Sequence, residues 1–413
     1  MKKSLAVSFS IAVLLSMGCR HISEDSTEKF DSGEHTLIGQ KGYESACRKA
    51  SCLPLISRKD KKMDFTYGEL VAFSGDFYET PSALDSDTGT GLSFLGRNNL
   101  KKGKQIIEEE IKQIDKQKHG VTAEDSKYLD STFQWILAFP SVYLSVSANN
   151  YAHFGWYNIK EYVFHHQAAL DAALKGFKST DPDTKNEFFR EALLKNSFAD
   201  HFLTDGFASG HIRNPRTQSI SWDKKKGCSI DRDGSLRIGL IAKVLHDNDH
   251  TFEKTGGLKV VNARGDTWST RSDGDLFIKW DETSPHYSLP VEAVALSVTE
   301  VLEAFRGGIY PRSTFKALHL VPFVDPTEKT LVETFAKDTS EADITAMLES
   351  QVGSAWLKNS LVCLDNKSLR AYFTDLPMLM KNFRSDVAAD VEKDPNLTKR
   401  LTKAYIDGFK AVQ

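Results

Sequence analysis

Apolar residues recur at intervals of three and four along most of the chain, and this is the spacing of the buried face of an α-helix. The segments with this pattern are predicted as helices and lie near 101–118, 126–146, 158–177, 185–207, 291–305, 341–358, 367–385 and 398–411. Pro140 should bend or end the second of them. The sequence therefore predicts a mainly α fold.

One stretch has a different pattern. KVVNARGDTW, near 259–268, has the pattern of a small hairpin with Arg264 and Gly265 at its turn. A segment rich in proline and charge around 321–329 is predicted to be a link between helices. We expect one domain over 35–310, followed by a helical C-terminal region over 311–413.

The N-terminus has the pattern of an export signal. MKKSLAVSFSIAVLLSMGC places Lys2 and Lys3 before an apolar run, Leu5 to Leu15, that is too short to span a bilayer as a permanent helix. We therefore predict a signal peptide over 1–18 and an exported protein.

The end of this signal predicts a lipid anchor. Gly18 followed by Cys19 is typical of a bacterial lipoprotein signal, in which Cys19 becomes the acylated first residue and holds the protein at the cell envelope. The polar segment after it predicts a flexible tether over 19–34. Ser16 stands where such signals usually have Leu, so secretion without an anchor is the alternative.

The net charge of the chain argues against one class of nucleic-acid-binding protein. The formal net charge of −3 does not suit a protein that coats duplex nucleic acid through a large basic face. A nuclease remains compatible with this charge, because a metal site supplies positive charge to a phosphodiester locally.

The cysteines of an exported chain are candidates for disulfides. Besides Cys19 there are four: Cys47, Cys52, Cys228 and Cys363. Cys47 and Cys52 are the nearest pair in sequence, and a bond between Cys228 and Cys363 follows only by elimination. No C-x-x-C zinc spacing is present.

The stretch NSFADHFLTDGFASGHIRNP at 196–215 contains His201, Asp205 and His211 among aromatic and small residues, with no charged neighbour besides Asp200 and Arg213. His201 and Asp205 are four residues apart and so lie on one face of a helix. Gly206 and Gly210 weaken the helix beyond them, which allows His211 to turn back toward the same pocket. Burial of these side chains among phenylalanines costs free energy unless something compensates for it.

Other histidines add candidate ligands. His153 precedes one predicted helix, and KVLHDNDH ends another with His246, Asp249 and His250. Imidazoles and carboxylates spaced by helical turns are the ligands that a borderline-soft divalent metal prefers. A bound metal would also compensate for the burial of the polar groups, so the pattern predicts a metal centre.

These motifs carry a resemblance to a known family. His153 with Phe154, then SFADHFLTDGFASGHIRNP at 197–215 and the later His246, resemble the bacterial zinc-dependent phospholipase C family, which shares its fold with fungal single-strand-specific nucleases. The similarity covers roughly residues 149–250 well and the N-terminal part less well. It implies an α-helical phosphodiesterase with three zinc ions at the bottom of a cleft.

The resemblance also implies a set of ligands. In chain order these are His35, Asp76, His153, His201, Asp205, His211 and His246. By the same resemblance, Asp76, His153, His201 and Asp205 hold one zinc ion. Asp205 bridges to a second ion that also uses His35, and His211 and His246 hold the third.

The last ligand departs from the family pattern. A carboxylate is expected four residues after the position matched by His246, and this chain has His250 there. Either His250 replaces that carboxylate, or Asp249 or Asp247 takes its place. The family also uses the backbone of an N-terminal Trp as a ligand, which a tethered Cys19 does not supply, so we expect two to three zinc ions.

This ligand set predicts a zinc-dependent phosphodiesterase, and by resemblance a phospholipase C acting on phospholipid or at a membrane surface. Zinc ions neutralise phosphate oxygens, make hydroxide available near pH 7 and stabilise the leaving alkoxide. Asp76 is the candidate to orient the attacking water. One alternative is a nuclease for single-stranded nucleic acid, and another is an envelope lipoprotein that keeps the fold without turnover. No protein partner is inferred.

Neighbouring residues have two interpretations each. Asp200 and Asn214 either fix the tautomers of ligand histidines or lie at the surface. Trp156, Tyr78 and Phe77 either line a cleft for lipid or bases or pack in the core.

The lipid anchor gives the first testable prediction. Cells fed a fatty-acid analogue should incorporate it into the wild-type protein and not into Cys19→Ala, because only the Cys19 thiol and the amine freed by cleavage accept the acyl chains. Detection of the label on the purified protein checks this. Equal labelling of both forms would show that the protein has no anchor at Cys19.

Overall fold

Helices make up most of the described chain, and the mainly α fold is confirmed. The computed structural model describes residues 32–48, 52–60, 62–87, 99–118, 132–139, 150–226, 238, 245–246, 257–270, 282–328, 340, 342, 346 and 366–412. Its α-helices are α1 Ser32–Cys47, α2 Tyr67–Phe73, α3 Pro81–Ser86, α4 Leu100–Lys118, α5 Thr132–Ala138, α6 Trp156–Lys178, α7 Pro182–Asp205, α8 Ser209–Ile212, α9 Arg216–Lys226, α10 Pro285–Gly307, α11 Asn366–Lys393, α12 Pro395–Arg400 and α13 Lys403–Ala411. The strands are β1 Ile56–Ser57, β2 Asp64–Phe65, β3 Leu258–Val261, β4 Thr267–Thr270 and β5 Phe323–Val324.

Most predicted helices lie close to their expected bounds, notably α4, α6, α7 and α10. The segment predicted near 398–411 is two helices, because Thr402 accepts a hydrogen bond from the backbone of Tyr405 and starts α13. Of the segment near 126–146 only α5 is described. Pro140 and nearly all of 341–358 lie outside the described residues.

The centre of the fold is the pair α6 and α7, which pack along their lengths. Helix α7 begins at Pro182 after Asp181, whose carboxylate caps the backbone of Thr184. Helix α10 packs on α6, α7 and α1, and α2 packs between α1 and α7. Four helices therefore surround the last turns of α7, where His201 and Asp205 lie.

The hairpin predicted near 259–268 is present, but it belongs to a larger sheet. Strand β3 pairs antiparallel with β4, and Gly265 has φ of +95° in the turn between them. Strand β5, in the segment predicted to be a link, pairs with the other edge of β3. The sequence missed β5 because two residues are too short to show alternation, and it missed the β1–β2 pair for the same reason.

The helical C-terminal region packs on the rest of the chain through acidic residues of α11. Asp390 accepts hydrogen bonds from Trp156 Nε1 at 2.9 Å and from Lys160 Nζ at 2.8 Å. Asp386 accepts one from Gln218 of α9 at 2.7 Å. These bonds place α11 against the start of α6, the end that carries the loop with His153.

A buried polar network links α2, α6, α7 and α10. Tyr67 donates to the carboxylate of Asp200 at 2.6 Å, and Asn196 Nδ2 lies 3.1 Å from the same oxygen. Asn196 Oδ1 meets His166 Nδ1 at 2.6 Å, and His166 Nε2 lies 3.1 Å from Glu300. Such networks specify how helices pack, since each polar group would be costly to bury alone.

The last residues of the predicted tether are helical, so the prediction of a flexible tether up to residue 34 is wrong at its end. Helix α1 starts at Ser32, and residues 32–34, which were assigned to the tether, are buried in its first turn. A disulfide joins Cys47, the last residue of α1, to Cys52, as their closeness in sequence suggested. Cys228 and Cys363 lie outside the described residues. Among the described helices, none combines the length and the hydropathy needed to cross a bilayer.

His165 of α6 is a buried histidine that is not among the predicted metal ligands. Its ring lies between those of Phe198 and Phe202, with centroids 5.7 and 5.9 Å away. Burial, with a smaller effect of the positive charge of Lys195, lowers the pKa of His165 to about 4. Glu161 is the nearest carboxylate, 3.8 Å from Nε2.

This histidine should make the fold sensitive to acid. The folded-state pKa is below the ordinary 6.5, so the unfolded chain binds a proton first as pH falls. The contribution of His165 to the free energy of unfolding is therefore fully present above pH ~6.5. It is lost as pH falls toward ~4, by up to roughly 3 kcal/mol. His165→Gln cannot bind this proton, so urea unfolding of the metal-free protein should depend less on acid in the variant. The same acid dependence in both would contradict the prediction.

Candidate metal centre

The last two turns of α7 present two polar side chains to one pocket. His201 and Asp205 are four residues apart on the same helix face, and both are completely buried. Both positions face the pocket between α1, α2 and the turn before α6. The predicted pairing of these residues on one face is therefore present in the structure.

Asp205 lies at the middle of a group of imidazoles. Its Oδ2 is 2.9 Å from His153 Nδ1 and 3.9 Å from His201 Nε2. Its Oδ1 is 3.5 Å from His35 Nε2 and 4.0 Å from His211 Nδ1. Each oxygen thus faces a different pair of histidines, and Oδ2 lies within hydrogen-bond distance of His153 Nδ1.

Hydrogen bonds at Nδ1 orient three of these histidines. His201 Nδ1 lies 3.0 Å from the carbonyl of Val71, and His211 Nδ1 lies 2.9 Å from the carbonyl of His153. His35 Nδ1 lies 2.7 Å from Thr204 Oγ1. A carbonyl only accepts hydrogen bonds, so His201 and His211 each carry a proton on Nδ1, and Nε2 of neutral His201 carries a lone pair.

Burial keeps His201 neutral. Desolvation, together with repulsion from His35 and His153, lowers the pKa of His201 well below its ordinary value. A neutral imidazole is the form that binds a metal.

Asp76 reaches the same cluster from the turn after α2. Its Oδ1 lies 3.8 Å from His153 Nε2, and its Oδ2 lies 3.9 Å from His201 Nε2. The turn depends on Gly75, which has φ of +72°; a Cβ there would stand 2.3 Å from Cδ2 of His201. Glycine therefore allows the backbone to approach the His201 ring, and Asp76 follows at the rim of the pocket with 20% of its side chain exposed.

The loop before α6 brings His153 and His211 together. His153 ends a 3₁₀ turn over Tyr151–His153, and its carbonyl accepts from His211 of α8. Gly155, with φ of +59°, donates its N–H to the carbonyl of His211 at 2.5 Å. These two bonds hold α8 against the start of α6, so that both imidazoles face Asp205.

His211 and His246, the predicted ligands of the third zinc ion, are also close to each other. The ring of His246 lies 5.1 Å, centre to centre, from that of His211 and 6.1 Å from that of Phe154. Asp247, Asp249 and His250, the candidates for the last ligand, lie outside the described residues. The structure therefore brings together seven predicted ligands: His35, Asp76, His153, His201, Asp205, His211 and His246.

The residues that are candidates for lining a cleft or for fixing histidine tautomers are buried. Trp156, Tyr78 and Phe77 are buried in the hydrophobic core and do not line a cleft, which supports the core interpretation of these aromatics. Asp200 points to Tyr67 on another side of α7, and burial raises the pKa of its carboxyl to about 7. Asn214 is buried as well, not at the surface.

The donor set fits a divalent cation. Donor atoms of His35, His201 and Asp205 lie within 4.8 Å of one another, and so do those of Asp76, His153 and His201. His201 Nε2 lies 3.9 Å from a carboxylate oxygen of Asp76 and 3.9 Å from one of Asp205. It also lies 3.3 Å from His153 Nδ1. Imidazole nitrogen and carboxylate oxygen are the ligands of zinc in proteins.

Some groups that shape the site were missed from the sequence. Thr204 and the carbonyls of Val71 and His153 hold the ligand imidazoles in place. Backbone carbonyls leave no signal in a sequence, because every residue has one. Thr204 stands next to Asp205, and only the tertiary contact of α7 with α1 shows that its hydroxyl meets His35.

Comparison with known proteins adds no assignment: the chain matches no protein-family model, no curated protein and no solved structure. The family suggested by the sequence motifs therefore stays a prediction.

The contrast between Asp205 and Asp200 tests the metal centre. Asp205→Asn removes the charge that would bridge two cations, so zinc content measured after exposure to zinc should fall while Asp200→Asn keeps the wild-type content. Both variants alter a buried carboxylate of α7, so Asp200→Asn is the matched control, and the melting temperature of each metal-free form reports on folding alone. Equal zinc in the wild type and Asp205→Asn would rule out this cluster as the metal centre.

Proposed function

We propose that this protein is an exported, lipid-anchored, zinc-dependent phosphodiesterase of the phospholipase C type. The observation that carries the proposal is the buried carboxylate of Asp205, whose oxygens have nitrogens of four imidazoles within 4.0 Å. The likeness of residues 149–250 to the zinc phospholipases supports the reaction class, and the mainly α fold is compatible with it.

The residues divide among the proposed zinc ions as follows. Asp76, His153 and His201 would hold one ion, and Asp205 would link it to a second ion that also binds His35. His211 and His246 would hold a third. A buried carboxylate is costly unless hydrogen bonds or positive charge compensate for it, and a bound cation would add to the compensation that the surrounding imidazoles give Asp205.

The proposed reaction is hydrolysis of a phosphodiester. A divalent ion supplies Lewis acidity, which neutralises charge on the phosphate and makes hydroxide available near neutral pH. The oxygen of water forms a bond to phosphorus, the bond from phosphorus to the leaving alcohol breaks, and the proton lost by water is balanced by the proton that the alcohol takes up.

Asp76 is the proposed group that orients the water and accepts its proton. It keeps 20% of its side chain exposed, while the side chains of His153, His201, Asp205 and His211 are at most 4% exposed. A substrate entering from solvent therefore meets Asp76 before the deeper ligands. A carboxylate within hydrogen-bond reach of the attacking water is the requirement for a general base.

The experiment measures phosphocholine release from phosphatidylcholine in mixed micelles by the zinc-loaded protein without its signal. We expect turnover that is lost on chelation and restored by zinc. Asp205→Asn and Asp76→Asn should each lower it by about 100-fold, the scale typical of damage to a metal site. Asp200→Asn serves as the control.

A parallel assay with circular single-stranded DNA separates the possible substrates. Cleavage of DNA without release of phosphocholine would support the nuclease alternative and overturn the phospholipase assignment. A zinc-loaded protein that acts on neither substrate would contradict the enzymatic proposal and favour an envelope protein without turnover.

A further inference from the structure

Thr204 contacts one candidate ligand from the side opposite to the cluster. Its hydroxyl oxygen lies 2.7 Å from His35 Nδ1, and both side chains are buried. The two residues are far apart in sequence, since His35 is on α1 and Thr204 is on the last turn of α7. The contact is therefore a tertiary one, made where α1 packs against α7.

The other hydrogen bonds of Thr204 indicate which atom donates in the contact between Thr204 Oγ1 and His35 Nδ1. Thr204 Oγ1 lies 2.9 Å from the carbonyl of Asp200 and 2.8 Å from the carbonyl of His201. Both carbonyls can only accept, and the hydroxyl has one proton; when that proton is directed at the carbonyls, the oxygen presents a lone pair to His35. His35 Nδ1 must then carry a proton and donate.

This donor assignment determines the protonation of the other ring nitrogen of His35, Nε2. In a neutral imidazole with its proton on Nδ1, Nε2 carries the lone pair. That nitrogen lies 3.5 Å from Asp205 Oδ1. The hydroxyl of Thr204 thereby selects the tautomer and the ring orientation in which His35 can bind a cation together with Asp205.

We propose that Thr204 is a positioning residue that holds His35 as the Nδ1-protonated tautomer, with Nε2 directed at the metal centre beside Asp205. The inference deepens the proposed zinc site and rests on it for its functional consequence. One turn of α7 then supplies two ligands, His201 and Asp205, and also orients a third ligand that belongs to another helix. Partners of this kind tune metal affinity by about 10-fold to 100-fold.

Three variants separate positioning from folding. Thr204→Val has nearly the same shape and lacks the hydroxyl, and Thr204→Ser keeps it. Ser197→Ala is the matched control, because Ser197 is a buried hydroxyl residue of the same helix whose side chain donates to the backbone carbonyl of Leu194. The full chain without its signal is used throughout.

The first readout is the tautomer of His35 in the metal-free protein, observed by two-bond ¹⁵N–¹H correlations after histidine labelling and assigned with His35→Gln. We expect a proton on Nδ1 in the wild type, Thr204→Ser and Ser197→Ala, and loss of this single tautomer in Thr204→Val.

The second readout is zinc affinity by chelator competition. Thr204→Val should bind zinc about 10-fold to 100-fold more weakly, with affinity rescued in Thr204→Ser and unchanged in Ser197→Ala.

Two results would overturn the inference. One is a His35 tautomer that stays on Nδ1 in Thr204→Val, and the other is an equal loss of zinc affinity in Thr204→Val and Ser197→Ala, which would reflect a general loss of stability. A wild type that binds no zinc would refute the proposed metal centre, while the tautomer measurement would still decide whether Thr204 orients His35.

Discussion

The carboxylate of Asp205 is the group around which the described part of the chain is arranged. It is completely buried, and an ionised carboxylate in such a place is unfavourable unless hydrogen bonds or positive charge compensate for it. Four histidines from separate segments surround it. These imidazoles supply part of that compensation, and the proposed cation would supply more.

The helices position this carboxylate through a few specific backbone features. Gly75 and Gly155 both adopt positive φ, and each stands where the chain passes close to a ligand histidine or its loop. Helix α10 and the network of Tyr67, Asn196 and Asp200 fix how α7 sits against α2. The packing of α7 against α2 therefore involves polar contacts outside the cluster as well as those of the cluster itself.

The C-terminal region contributes to the same arrangement from outside. Asp390 of α11 binds Trp156 and Lys160 near the start of α6, and Phe383 packs against Gly155 so closely that a Cβ there would lie 2.9 Å from its ring. Since this start of α6 follows the loop with His153, α11 supports one wall of the candidate site.

The sequence by itself determined the helical class, the bounds of α4, α6 and α7, the hairpin turn at Gly265 and the common helix face of His201 and Asp205. These are local properties, because periodicity, capping and turn preferences act within a few residues. Only the tertiary structure decided that His35 of α1 and Asp76 meet that face, that Thr204 and the carbonyl of Val71 orient the imidazoles, and that β5 extends the hairpin. Packing brings together residues more than a hundred positions apart, and no pattern of spacing within a segment records such contacts.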